Sequence, residues 1–168
     1  LRDSPLNRLT EKKGEEKMKP KREGLKAEKW VSSLVGGLLT PASGAIHASL
    51  DIRSLKRWNK EFILEVKSTT KESFTLYNPL WRKIVARAEM RMLCPALCVV
   101  FKTRLSGRKA IVVVRREDAP TDLPIEREEV AGAIKGRIRS LHLQPIDEII
   151  LVRWGREELV IMPLYRWK

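Results

Sequence analysis

Two uninterrupted apolar runs, Ala96-Leu97-Cys98-Val99-Val100-Phe101 and Ala110-Ile111-Val112-Val113-Val114, limit what this chain can fold into more than any other feature. Strands read this way when both faces of a sheet are covered; a half-exposed strand would alternate apolar and polar residues. Ser106-Gly107 between the runs marks a turn. The two segments are therefore expected to be core strands joined by a basic turn carrying Lys102, Arg104, Arg108 and Lys109.

Helical spacing precedes these strands. From about Arg22, the residues Leu25, Trp30, Val31, Leu34, Val35 and Leu38 recur at three- and four-residue steps, one stripe of an amphipathic helix whose last turn Gly36 and Gly37 weaken. Thr40-Pro41-Ala42-Ser43-Gly44 reads as a loop and Ser49 to Arg53 as a short strand. Phe62-Ile63-Leu64-Glu65-Val66-Lys67 is the clearest strand, and a period of two puts Glu65 and Lys67 on one face. Residues 53 to 60 suffice to turn the chain back, so the two strands can pair antiparallel and bring Asp51 towards Glu65. Residues 79 to 93 return to helical spacing, with Trp81, Ile84, Val85, Ala88 and Met92 inward and Arg82, Lys83, Arg87 and Arg91 outward. Beyond Pro120 the pattern predicts a helix around 126 to 141, then a hairpin from Ile149–Arg153 and Leu159–Met162 about Gly155.

These elements predict an α/β domain with a mixed central sheet flanked by helices. Residues 1–20, polar and broken by Pro5, Gly14 and Pro20, are expected to form a flexible basic arm, with Met18 a candidate natural start. Residues 21–118 would form the core, and 119–168 a helix-plus-hairpin addition to the same domain. Cys94 and Cys98, with no second Cys or His cluster nearby, are expected to be buried thiols rather than a zinc site or a disulfide.

Charge narrows the function. The 168 residues hold 34 Lys and Arg against 21 Asp and Glu, a net charge of +13, which favours a polyanionic partner. The excess is local: residues 82 to 116 carry 10 basic side chains against Glu89 alone, whereas 117 to 168 carry 8 against 10 acidic. No stretch reaches the roughly 18 apolar residues of a membrane span, and the N-terminus lacks a signal-peptide pattern, so a cytoplasmic protein without a membrane partner is expected.

Phosphodiester hydrolysis needs charge stabilisation at the phosphorus, an activated water and a fixed line of attack. Hard cations such as Mg2+, for which Mn2+ often substitutes, take oxygen ligands. Asp51 and Glu65 can provide carboxylates, and Lys67 can hold the attacking water. A bare Glu-Val-Lys tripeptide says little, because Glu and Lys alternate on the wet face of many strands. Its weight comes from the strand context, the preceding Asp51, the loop containing Gly44 and the basic helix that follows.

Over roughly residues 23 to 102 the order and character of these segments resemble the archaeal-type Holliday junction resolvases of the PD-(D/E)XK nuclease superfamily. Gly24-Leu25-Lys26-Ala27-Glu28 looks like the family's first helix, which maps its active-site glutamate to Glu28. Ala42-Ser43-Gly44 looks like the loop whose serine contributes to activity in part of the family. Asp51-Ile52 corresponds to the metal-binding aspartate strand and Glu65-Val66-Lys67-Ser68 to the Glu-x-Lys strand. Leu76-Tyr77, the next helix and Pro95 to Lys102 look like the family's following helix and strand. The resemblance implies a restriction-endonuclease-like fold, a catalytic set of Glu28, Ser43, Asp51, Glu65 and Lys67, and a Mg2+ site using Asp51, Glu65 and Glu28. It also implies a homodimer acting on branched DNA in a prokaryote or in a virus of one. Departures exist: no basic residue stands between Ser43 and Asp51, and the last 50 residues have no counterpart.

Lys21, Arg22, Lys26, Lys102, Arg104, Arg108 and Lys109 are candidate phosphate contacts, which set affinity without reading sequence. Tyr77 and Trp81 are candidates for stacking on an opened base, although aromatics on helices more often pack. Competing readings are another nuclease of the same superfamily, whether nicking, repair or restriction-like, and a non-catalytic basic nucleic-acid-binding module.

Overall fold

The computed structural model describes residues 24–36, 38–39, 51–104, 107–131, 133–135 and 138–167, with backbone alone at 38–39, 51–54 and 133–135. The expected arm at 1–20, together with Lys21, Arg22 and Ser43, lies outside the described residues.

Helix α1 spans residues 24–35 and is followed by β1 (Leu38–Leu39), β2 (Asp51–Arg57), β3 (Lys60–Thr69) and β4 (Phe74–Tyr77). Then come α2 (Asn78–Glu89), β5 (Cys94–Thr103) and β6 (Gly107–Arg115). After a short 3-10 turn the C-terminal part contributes β7 (Arg127–Ala131), β8 (Ala133–Lys135), β9 (Ile138–Leu143), β10 (Ile150–Trp154), β11 (Glu157–Pro163) and α3 (Leu164–Trp167). Eight strands form one mixed sheet in the order β1-β2-β3-β5-β6-β11-β10-β7. β3 runs parallel to β5 and β10 parallel to β7, while the other neighbours are antiparallel. A second sheet, β4-β9-β8, has three strands.

The uninterrupted apolar run of β5 is covered on both sides. Ala96, Cys98 and Val100 pack into one layer with Ala27, Val31 and Val35 of α1 and Leu164 and Trp167 of α3. Leu97, Val99 and Phe101 pack into the opposite layer with Trp81 and Ile84 of α2 and with Leu76, Leu141 and Leu143 of the second sheet. All six β5 residues are fully buried, and each large apolar side chain so placed contributes roughly 1.5–3 kcal/mol. The parallel β3–β5 pair needs a crossover, which β4 and α2 supply.

Helix α1 ends where Gly36 takes φ +73° and its N–H bonds the Ser32 carbonyl at 2.9 Å, a left-handed stop that glycine adopts without steric cost. At the far end of α2, Leu93 N–H reaches the Ala88 carbonyl and Met92 N–H the Glu89 carbonyl, both at 3.0 Å. Met92 takes the left-handed position of that motif at φ 55°.

Four expectations are corrected. Residues 126 to 141 hold strands β7 and β8 and the start of β9 where the spacing predicted a helix. Gly132 and Gly136 weaken a helix there, and Ile138 to Leu143 buries Leu141 and Leu143 at a period of two. The partner strands decide the outcome, β10 pairing with β7 and β4 with β9. Leu38 leaves the helical stripe to pair with Arg53. The chain reversal expected over 53 to 60 is a two-residue turn, because β2 continues to Arg57 and only Trp58 and Asn59, at φ 50° and 60°, make the bend. Trp58 is held in that conformation by packing edge-on against Phe62, 6.0 Å between ring centroids. Finally, Met92 is 94% exposed rather than inward.

Among the described residues both cysteines are free, Cys98 fully buried and Cys94 half-buried. Burial raises the Cys98 thiol, and burial together with the neighbouring Asp118 pushes Cys94 up to about 11. Neither is a reactive thiolate at neutral pH. No described helix is long and apolar enough to cross a membrane.

Candidate active site

Strand alternation builds the site. Phe62, Leu64 and Val66 of β3 enter the layer beneath α1, so Glu65 and Lys67 project on the other face. Glu65 is nearly buried, which a carboxylate tolerates only with partners. Its partners include two cations: Lys67 Nζ lies 2.8 Å from Oε1 and Arg87 Nη1 lies 3.1 Å from Oε2. Lys67 is next on the same face of the strand, and Arg87 is delivered by α2, whose buried residues Trp81, Ile84 and Ala88 set its rotation.

Glu28 of α1 lies within electrostatic range of Glu65 and Lys67. It is 8% exposed, and its Oε2 has no hydrogen-bond partner among the described residues. Burial, reinforced by the negative charge of Glu65 and partly offset by Lys67, pushes its carboxyl up to about 7. Mutual repulsion between Glu28 and Glu65 means that the two acids share one electrostatic environment. Asp118 makes the contrast: equally buried, it is paired with Arg115 Nε at 2.7 Å and has Lys60 at 3.8 Å. One buried acid is satisfied as a structural ion pair, whereas the other keeps an orphaned oxygen.

The β2–β3 ladder places Asp51 directly opposite Glu65, and paired positions across an antiparallel ladder have Cα atoms about 4.5–5.5 Å apart. The Asp51 side chain itself lies outside the described residues. The fold thus brings the backbone of Asp51 and the side chains of Glu28, Glu65 and Lys67 to one region. Ser43 lies outside the described residues.

A buried carboxylate with an orphaned oxygen, within electrostatic range of a second buried acid, suits a hard divalent cation, which takes oxygen ligands. Glu65 would have to give up one of its present cationic partners to bind it. Among the described residues no group of three or more Asp, Glu, His or Cys side chains is arranged to hold a metal.

The candidate phosphate contacts are spread around this cluster. Lys26 is exposed on α1. Lys102 pairs in register with Arg108 and Phe101 with Lys109. Because β5 runs parallel to β3 with Val99 opposite Lys67, Lys102 stands about 10 Å further along the strand direction. Arg104, Arg108 and Lys109 are exposed, and the Arg108 guanidinium lies 5.7 Å from the Trp30 ring centroid. Tyr77 is 51% exposed at the α2 N-terminus. Trp81 is fully buried and unavailable for stacking on a base.

Sequence reasoning put Arg87 among the outward basic residues of α2 and so missed its contact with Glu65. Only the fold could reveal it, because nothing in the local pattern separates Arg87 from Arg82 or Arg91. No family model matches the chain, and no curated protein is significantly similar to it.

Proposed function

We propose that this protein is a magnesium-dependent DNA endonuclease of the restriction-endonuclease-like type, most similar in its site to the archaeal-type Holliday junction resolvases. The observation that carries the reading is the arrangement itself: a buried, orphaned Glu28 within electrostatic range of a Glu65–Lys67 pair on a strand whose neighbour places Asp51 in register. A solvated strand face would have no reason to bury two acids together.

In this reading Asp51, Glu65 and Glu28 would hold Mg2+, with Mn2+ able to replace it. When bound, the ion supplies Lewis acidity at the phosphate and favours the ionised form of a water. Lys67 Nζ, on the same strand face as Glu65, would donate to the attacking water and hold it towards phosphorus. Arg87, once released from Glu65 Oε2, can donate to the phosphate oxygens, for which its planar fork is suited. Glu28, with a carboxyl near 7 before metal enters, can hold a proton at its unpartnered Oε2. The high net charge supports a nucleic-acid substrate. A symmetric dimer would present two such sites to opposed strands of a two-fold four-way junction.

A second reading is favoured by one observation. Both Glu65 oxygens are already matched by cations, as they would be in a non-catalytic nucleic-acid-binding module whose buried acids only anchor α2 to the sheet. Incubating an end-labelled four-way junction and a linear duplex of the same sequence with Mg2+, and again with EDTA, separates the possibilities. Junction cleavage only with metal supports the resolvase reading. Equal cutting of the duplex points to another nuclease of the same type, and binding without cleavage in Mg2+ or Mn2+ points to the module.

A further inference from the structure

Three arginines far apart in sequence meet at one cavity. Arg82 comes from the first turns of α2, Arg139 from β9 in the second sheet, and Arg156 from the turn between β10 and β11. With Asn78, Trp154 and Glu157 they line a space of about 380 Å³. None of the three guanidinium groups forms an ion pair or hydrogen bond among the described residues, whereas Arg87, Arg115, Arg127, Arg153 and Arg166 all have carboxylate partners. Glu157 is the single acid of the lining, so the cavity carries an excess of two positive charges.

The convergence is built into the fold. Gly155 begins the turn at φ +66°, and a Cβ there would collide with Arg139 Nη1. A residue without a side chain is thus what lets Arg139 lie against the turn beside Arg156. Asn78 and Arg82 belong to the amino-terminal end of α2, whose first turn holds no acidic residue and whose N-cap makes no side-chain hydrogen bond. The positive end of the helix dipole adds to the same field.

We propose that this cavity binds a backbone phosphate of DNA, as a second contact point on the DNA engaged at the Glu65 site. The choice of DNA rests on the function proposed above, but the anion site follows from the arginines themselves. Guanidinium groups match phosphate oxygens in a planar, two-pronged geometry that a lysine ammonium does not reproduce. Arg82 and Arg87 lie five residues apart on α2, about 140° apart around its axis, so they leave the helix on different sides. The cavity would therefore hold a different phosphate from the one beside Glu65.

The test is DNA binding by fluorescence anisotropy in EDTA, using a labelled four-way junction over a range of salt concentrations. The variants are the triple Arg82→Gln/Arg139→Gln/Arg156→Gln protein and the triple Arg→Lys protein at the same positions, each compared with wild type for circular dichroism and melting. Arg82 and Arg156 are exposed, so the double Gln variant lacking the Arg139 change serves if the triple one melts early. The Gln triple is expected to bind at least tenfold more weakly at moderate salt, with the slope of log affinity against log salt reduced by about 1 to 3. The charge-preserving Lys triple is expected to bind several-fold more weakly than wild type. Unchanged affinity in the Gln variants overturns the proposal, and so does wild-type affinity in the Lys triple, which would mean diffuse charge rather than a built site. Weakened binding in a protein that never cleaves DNA would leave this site standing and remove the nuclease reading. Cleavage with unaltered binding would do the reverse.

Discussion

Arg87 Nη1 donates to Glu65 Oε2 at 3.1 Å, tying helix α2 to strand β3 across the layer that separates them. The contact does two things at once. It compensates a nearly buried carboxylate, and it keeps a guanidinium at Glu65, where the proposed reading needs a donor to phosphate oxygens.

Removing that guanidinium exposes the structural half of its role. Arg87→Leu leaves Glu65 Oε2 without this partner, and a buried acceptor deprived of a charged partner costs about 1–3 kcal/mol. Urea unfolding should show a lower midpoint with an unchanged slope. An unaltered midpoint would mean that Glu65 is satisfied without Arg87.

Glu28 should make the metal-free protein less stable as pH rises. Its carboxyl titrates near 4.5 in its ordinary state and near 7 in the fold. Between these values the unfolded chain has lost the proton that the folded one still binds, so stability falls across this window and stays low above 7. Glu28→Gln, which has no charge to bury, should be more stable than wild type at pH 8 by about 1–2 kcal/mol after allowing for solvent screening. Near pH 4 the gain should vanish. Melting curves in EDTA from pH 4 to 8.5 measure it, and a gain independent of pH would show that Glu28 is not held in repulsion.

Met92→Gly should stabilise the protein. Met92 is almost fully exposed and holds φ 55° in the hydrogen-bonded stop of α2. Glycine relieves that strain without loss of packing, a gain on the order of 0.5–1 kcal/mol. A melting temperature below that of wild type would show that the methionine makes a contact worth more than the strain.

Trp81 and Tyr77 should separate packing from binding. Trp81→Ala empties a fully buried position and should cost about 3–5 kcal/mol. Tyr77→Ala, at a half-exposed position, should leave stability nearly intact while lowering affinity for a junction if the ring stacks on DNA. Urea unfolding and anisotropy on the same two proteins check both halves. Unchanged junction affinity in the Tyr77 variant would remove Tyr77 from the interface.

Much of the fold was legible because its strongest signals were local. The apolar runs at 96–101 and 110–114 could be accommodated only by strands covered on both faces, and they form β5 and β6. Glu65 and Lys67 shared a face by strand geometry alone, and the antiparallel return of β2 onto β3 put Asp51 opposite Glu65. Residues 126 to 141 were misread because their conformation is set by partners distant in sequence: β7 by β10, and β9 by β4. The same reason hid Arg87. Its neighbours Arg82 and Arg91 share its chemistry, and only the docking of α2 on the sheet decides which arginine meets the carboxylate. Arg139, placed in sequence on a helix, could not be connected with the turn at Gly155 until the second sheet was seen.

The decisive measurement is the rate of cleavage of an end-labelled four-way junction in Mg2+ by wild type, Glu65→Ala and Lys67→Ala, each checked for folding by circular dichroism. Wild type should cut, and each variant should be slower by roughly a hundredfold or more, the usual effect of losing a group that stabilises developing charge. Cleavage by either variant at the wild-type rate would contradict the assignment of this cluster as the site of hydrolysis.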